Sequence, residues 1–352
     1  MSYPPCSVWL AEGQASQRDM LLSLRELKMR HHGALTIIAS HRHARPEITS
    51  VADLAYPEPH EDGARVAYVL EQCSKHDVHV LLTGRNSRDY EAVRSQFAAA
   101  GIRLLTGAQS TQALDIMEDK SRFAHHCQQQ GIPVAGGWVF NNEAELLQLL
   151  DEHGGQALCI KPVNGIFAQG FWRLDTAEDA AWDSFAHLYY TYSKKIHLDA
   201  FRHAYRHSEM VRNRPIPMLL MPYLPGREYS VDVVCEHGEI LLAITRCKEG
   251  SVQIVGHDGE ALPWLAPLLR SLCADGIVSV QSKADAQGKQ HVLEINSRPS
   301  GGIGYCAHSG VDLVQLAFAY WCGWSDKAAL LAARARIERC VVRPLTTSVR
   351  IG

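Results

Sequence analysis

The chain has 352 residues, 46% of them apolar and 21% charged, with a formal net charge of −3. That length accommodates two domains or one domain with a large insertion, and the apolar share is ordinary for a globular protein. So small a net charge supplies no electrostatic footprint for nucleic acid or for an anionic membrane surface, and neither is expected as a partner.

Ten cysteines are scattered from Cys6 to Cys340 without a C-x-x-C pair. This fits neither a zinc site nor a disulfide framework and predicts free thiols in a reducing cytoplasm. Among the 18 histidines, the pairs His31-His32 and His125-His126 have no His-x3-His or Glu-x-x-His arrangement beside them. Solvated or hydrogen-bonded rings are expected there rather than ligands. The opening MSYPPCSVWLAEG lacks a basic n-region, and no segment approaches the roughly 18 apolar residues of a membrane span. A soluble, cytoplasmic protein is expected.

The first hundred-odd residues alternate short apolar runs with helical patterns. Strands are predicted at 7–13, 35–41, 79–84 and 102–107, with helices at 19–33, 64–77 and 89–101 between them. Such alternation implies a parallel sheet, whose ligands gather beyond the carboxyl ends of the strands. Glu12, Gly13, Gly84, Arg85 and Asn86 are the candidates there. No G-x-G-x-x-G follows the first strand, which argues against a dinucleotide site. A helix capped by Ser110 or Thr111 is predicted to end near Met117. A second is predicted from about Lys120 to Gly131, with Pro133 blocking continuation.

From Trp138 onward strands dominate the pattern: 157–163, 170–175, 218–224, 228–249 and 277–297, with hairpin turns at EHGE and DAQG. The segment 180–217 reads as a surface helix packing Tyr and Phe inward, or as a substrate-facing lid insertion. Residues 312–323 and 326–340 read as helices and 341–351 as a last strand.

Three stretches carry chemistry. In HVLEINSRPSGG (291–302) the period of a strand places Glu294, Asn296 and Arg298 on one face and Leu293 and Ile295 on the other. A hairpin centred between Gln287 and Gly288 would set Gln281 opposite Glu294, so that Gln281, Glu294 and Asn296 offer hard oxygen donors suited to magnesium. In CIKPVNGIFAQGFWRL (159–174) Lys161 ends an apolar strand. Gly165 and Gly170 bracket a loop able to approach a polyphosphate, although no Walker sequence is present. In MPYLPGREYSVDVV (221–234) two prolines keep the backbone near Met221 and Tyr223 from full pairing. That leaves groups for an adenine edge, and Glu228 stands ready for ribose hydroxyls.

The order lysine, glycine loop, hinge, Glu228, Gln281, Glu294, Asn296, Arg298 resembles the ATP-grasp superfamily over roughly residues 113 to 320. That superfamily includes carbamoyl-phosphate synthetase, biotin carboxylase and the D-alanine–D-alanine ligases. The resemblance implies an α/β chain: a Rossmann-like pre-ATP-grasp domain over 1–112, a two-lobed α+β ATP-grasp domain over 113–330 with a lid near 135–220, and a C-terminal extension over 331–352. It implies ATP with magnesium, or manganese in its place, held through Gln281, Glu294 and Asn296. Nucleotide contacts would come from Lys120, Lys161, Gly165, Gly170, Met221, Tyr223, Leu224 and Glu228. Arg298 would bind the incoming carboxylate or the transferred phosphoryl group, with Arg246 and Lys248 as secondary candidates for that duty, and Ser300-Gly301-Gly302 would form an anion nest.

The activity implied is ATP-dependent joining of a small carboxylate to an amine or related nucleophile through an acylphosphate, and the resemblance mildly favours a homodimer. An ATP-binding regulatory protein without turnover, or a phosphotransferase releasing its phosphorylated product, is the alternative. Met221 and Gln281 stand where the family often has Glu, and Ala168 where it frequently has Gly.

Overall fold

The computed structural model describes residues 3–163, 170–176, 186–189, 194–214, 216–257, 262–345 and 347–350. Its contacts divide the chain into two compact units. Unit 1 holds Met1–Pro133, Arg227–Lys283 and Val292–Gly352, and unit 2 holds Val134–Gly226 and Ala284–His291.

Unit 1 begins with β1 (Cys6–Leu10), β2 (Leu35–His41), β3 (Leu54–Pro57), β4 (Val80–Leu82) and β5 (Arg103–Leu105), a parallel sheet in the order β3-β2-β1-β4-β5. Helices Gln17–Arg30 and Asp62–Lys75 fill the crossovers that parallel pairing requires. Both faces of β1 are buried. Val8 and Leu10 join one apolar cluster with Leu21, Leu24 and Phe318, whereas Trp9 joins another with Val69 and Leu81. Strands covered on both sides read as continuous apolar runs, which is why they were legible.

Four local features differ from the sequence reading. The helix expected at 89–101 is two short ones, Ser87–Glu91 and Arg94–Ala99, parted where Val93 leaves helical geometry. The strand expected at 102–107 stops at Leu105. The separate β6 (Gly107–Ala108) pairs with a different sheet, because Gly107 has φ +95°. The edge strand β3 escaped notice because it carries Pro57 and few buried side chains. The helix Glu143–His153 escaped because it buries chiefly Leu146, too little for a clear apolar stripe.

Capping fixes the helices that follow β6. Ser110 accepts from Ala113 N–H and starts Thr111–Glu118, while Asp119 accepts from Ser121 and Arg122 N–H and starts Lys120–Gln129.

Unit 2 contains β7 (Trp138–Phe140), β8 (Leu158–Pro162), β9 (Trp172–Asp175), β10 (Lys195–His197) and β11 (Met218–Pro222), in the order β10-β9-β8-β11-β7. In the segment that was hard to read, helix Leu198–Arg212 turns Phe201 and Tyr205 into the core with Phe140 and Ile160. The Tyr205 hydroxyl donates to Ile216 O at 2.7 Å.

The chain then returns to unit 1 with β12 (Glu228–Glu236), β13 (Glu239–Glu249), β14 (Val252–Gly256), β15 (Ala274–Ala284), β16 (Gln290–Asn296) and β17 (Cys340–Val342). They form a sheet in the order β16-β15-β12-β13-β14-β17, with β6 beside β15. The turn at EHGE is as expected, with His237 and Gly238 both at positive φ. The helix expected over 326–340 ends at Ala333, and the closing strand is only Cys340–Val342, paired with β14.

Candidate active site

One face of the antiparallel sheet in unit 1 is polar by register. Ser230 pairs with Arg246 on one side and Gln281 on the other, and Glu228 pairs with Lys283. Residues in register project to the same face, so Glu228, Ser230, Asp232, Arg246, Lys248, Gln281 and Lys283 share it. Glu228 lies 3.6 Å from the Lys283 ammonium. Lys248 is exposed and has no ion pair among the described residues.

Arg246 is the fixed point of this face. Only 5% exposed, its guanidinium donates to Asp232 at 2.8 Å, to Gln253 at 2.9 Å and to the Ser300 hydroxyl at 2.8 Å. Burial by itself would lower its proton affinity, but the Asp232 carboxylate overrides that and raises it. Ser300 in turn accepts from Gly302 N–H at 3.2 Å. A Cβ at Gly302 would stand 2.4 Å from the Arg246 guanidinium, so only glycine fits beside it. Arg246 therefore shapes the Ser300-Gly301-Gly302 loop. Asp232, which sequence reasoning missed, holds Arg246. Its signal was a lone aspartate among the apolar residues of SVDVV.

On β16 the alternation runs as expected from Leu293 onward. Ile295, Ser297 and Pro299 are buried, while Glu294, Asn296, Arg298 and Ser300 are half-buried. Leu293 is itself only half-buried, and the fully buried Val292 lies out of phase with Ile295. The Asn296 amide donates to Glu294 at 3.3 Å, which confirms that these two share a face. No cation lies within ion-pair distance of Glu294 among the described residues.

Arg298 lines a cleft at the carboxyl ends of β1 and β4, with Gly13, Gln14, Ser16, Thr83, Gly84 and Pro299 among the other walls. Burial first, and the neighbouring Arg85 charge second, pull its guanidinium below the ordinary value, with Glu294 and Glu118 opposing. It forms no hydrogen bond among the described residues. Two of the sheet-end candidates, Gly13 and Gly84, thus sit beside Arg298. Glu12 is instead occupied with Arg42, and Asn86 is the left-handed residue before helix Ser87–Glu91.

In unit 2, Lys161 is half-buried near the end of β8, in register with Leu219. Gly165 and Ala168 lie outside the described residues. Gly170 follows at φ +69°, where a Cβ would press on the Pro162 ring at 2.8 Å. Met221 is buried, and the Tyr223 ring carries the Arg173 guanidinium 4.6 Å from its centroid. The expectation that the Tyr223 backbone is free needs correction, because its N–H donates to Ala157 O at 2.8 Å as pairing extends past β11. The Leu224 N–H donates to no group among the described residues. Lys120 opens the helix Lys120–Gln129 in unit 1 and is half-buried.

The sequence also contains His203-x3-His207, which the reading of the histidine pairs passed over. Both rings are exposed on helix Leu198–Arg212, and no group of three or more His, Cys, Asp or Glu suited to a metal occurs among the described residues. The Glu294–Asn296 pair contains a single carboxylate and an amide, so it falls outside that kind of grouping. Such donors suit a hard cation that takes its remaining ligands from phosphates and water.

Residues 214–343 match a family model described as ATP-grasp in the biosynthetic pathway with Ter operon. No curated relative matches the sequence. Among solved structures, the ADP complex of N5-carboxyaminoimidazole ribonucleotide synthetase (purK) is similar at TM-score 0.65 and 15% identity, over 91% of this chain and 78% of that one. The L-amino acid ligase from Bacillus licheniformis is similar at TM-score 0.62 and 14% identity, over 91% and 74%. The biotin carboxylase domain of the Hydrogenobacter thermophilus 2-oxoglutarate carboxylase, in complex with MgADP and bicarbonate, gives TM-score 0.59 and 16% identity, over 90% and 69%. With a parallel sheet ahead of antiparallel ones the chain shares the fold of these enzymes, and its residues 214–343 carry the match to the ATP-grasp family model.

Proposed function

We propose that the protein is an ATP-dependent ligase that activates a small carboxylate as an acylphosphate and joins it to an amine or related nucleophile. The observation that carries this reading is the half-buried pair Glu294 and Asn296, hydrogen-bonded to each other and with no cation in ion-pair distance among the described residues. A half-buried carboxylate beside an amide oxygen, with the charge of Arg298 near it, offers a hard cation the kind of donors it takes.

In this reading Glu294, Asn296 and Gln281 hold magnesium. When bound, the ion would offset charge developing on the terminal phosphates during transfer. Leu224 N–H, which meets no acceptor among the described residues, binds the adenine edge beside the buried Met221. Glu228 takes the ribose hydroxyls, exchanging its distant partner Lys283 for them. Lys120 and Lys161 bind phosphate oxygens as compact positive charges. Arg298, which makes no hydrogen bond among the described residues, receives the substrate carboxylate and steadies the phosphoryl group as charge builds. In the Ser300-Gly301-Gly302 loop, set by Arg246, the Ser300 hydroxyl takes the Gly302 N–H, and the Gly301 N–H is the loop group that would meet the anion. Lys248 is exposed and adds positive charge at the rim of the same sheet face.

The similar structures support the reading because they include a ligase, together with a synthetase and a carboxylase domain solved with ADP. The test is ADP release by the purified protein across panels of carboxylic acids and amines, with mass identification of the product. Release should require both an acid and a nucleophile, and Glu294→Ala should slow it by about 10³-fold or more with an unchanged circular dichroism spectrum. An unchanged rate in that variant would remove the metal role.

A further inference from the structure

The sulfurs of Cys6 and Cys322, 316 residues apart in sequence, lie 2.8 Å from each other. This is well inside ordinary sulfur–sulfur van der Waals contact. Cys6 opens β1 and is 3% exposed. Cys322 caps the end of helix Leu313–Trp321 and is half-buried, so solvent reaches the pair from its side. Both backbones are pinned. Cys6 is held by parallel pairing with Leu35, and Cys322 N–H donates to Phe318 O at 2.9 Å. Two residues from each cysteine, Trp324 donates its indole N–H to Pro4 O at 3.0 Å, and the His31 ring stacks on Trp324 and lies tilted against Tyr3.

We infer that Cys6 and Cys322 form a reversible dithiol–disulfide site, oxidised by hydrogen peroxide or an organic hydroperoxide, independent of the ligase reading. One sulfur attacks a peroxide oxygen, the O–O bond breaks, and a sulfenic acid and one water result. The other sulfur then attacks the sulfenic sulfur and expels its oxygen as a second water. Two thiols and one peroxide thus give one disulfide and two waters. The Cys322 hydrogen bond holds the Cys6 thiol below its ordinary value, against the opposing effect of burial. To form the bond the sulfurs must close the remaining gap from 2.8 Å to bond length.

The bond would join the first strand to the last long helix across nearly the whole chain, a closure that restricts the unfolded state most. The other eight cysteines provide an internal control, because no other pair of described thiols is in hydrogen-bond contact.

The full-length reduced protein is treated with equimolar hydrogen peroxide, alkylated, digested and read by mass spectrometry. The expected product is one disulfide joining the Cys6 and Cys322 peptides, erased by dithiothreitol. The oxidised wild type should melt higher by about 5 °C, and neither Cys6→Ser nor Cys322→Ser should show that shift. Recovery of both cysteines as alkylated thiols, as sulfinic acids, or joined to other cysteines would overturn the site. The peptide readout on the wild type stands even where a single variant folds poorly.

Discussion

Asp232 shows how one side chain governs several others. It is fully buried, and it holds Arg246, which in turn holds Ser300 and leaves room only for Gly302. Removing a buried partner strands the opposite charge, which costs far more than the pair itself contributes. Asp232→Ala should therefore destabilise the protein by about 3 kcal/mol in urea titrations. The double variant Asp232→Leu with Arg246→Met should recover much of that loss, since apolar replacement of a whole buried pair is often neutral. A single variant as stable as wild type would show that the guanidinium finds other partners.

At the scale of elements, the carboxyl edge of the parallel sheet is tied by one acid. Glu58, just past β3, accepts from the Ser40 hydroxyl at 2.6 Å and from Glu12 N–H at 2.8 Å. Ser40 also accepts from the Trp9 indole at 2.7 Å. Burial raises the Glu58 carboxyl above its usual 4.5, against the pull of those hydrogen bonds and of Arg65. A raised folded value means that the fold binds the proton more tightly than the unfolded chain does. Its stabilising contribution is thus complete below pH 4.5 and is lost as pH rises through the folded value. Glu58→Gln has no proton to lose. Its stability relative to wild type should climb between about pH 4.5 and 7, measured as melting temperature across buffers. A pH-independent difference would remove Glu58 from this role.

At the scale of the whole molecule, a ligand that binds only the folded chain stabilises all of it. ATP with magnesium at 100 times its dissociation constant should add about 2.7 kcal/mol, seen as a higher melting temperature. Chelation of the metal by EDTA should lower that shift and stop ADP release. Equal shifts with and without the metal would show that nucleotide is held by protein groups alone.

The sequence by itself determined the parallel sheet, because strands buried on both faces leave uninterrupted apolar runs such as LTIIASH. It determined the capped helices after Ser110 and Asp119, because capping is a local matter. It also determined the shared face of Glu294 and Asn296, since a strand's period is two. Helix Glu143–His153 and strand β3 were illegible because their burial is slight.

Only the tertiary structure decided what depends on partners distant in the chain. Arg246 was a candidate for direct contact with substrate. Its partners Asp232, Gln253 and Ser300 come from other strands and a loop, and they make it the support of that loop. Tyr223 loses its free N–H to Ala157, 66 residues earlier in the numbering. Cys6 and Cys322 meet although spacing gave no hint of it. Periodicity and capping are written over a few neighbouring residues, whereas register between strands and the meeting of remote side chains are set by how the sheets and helices pack.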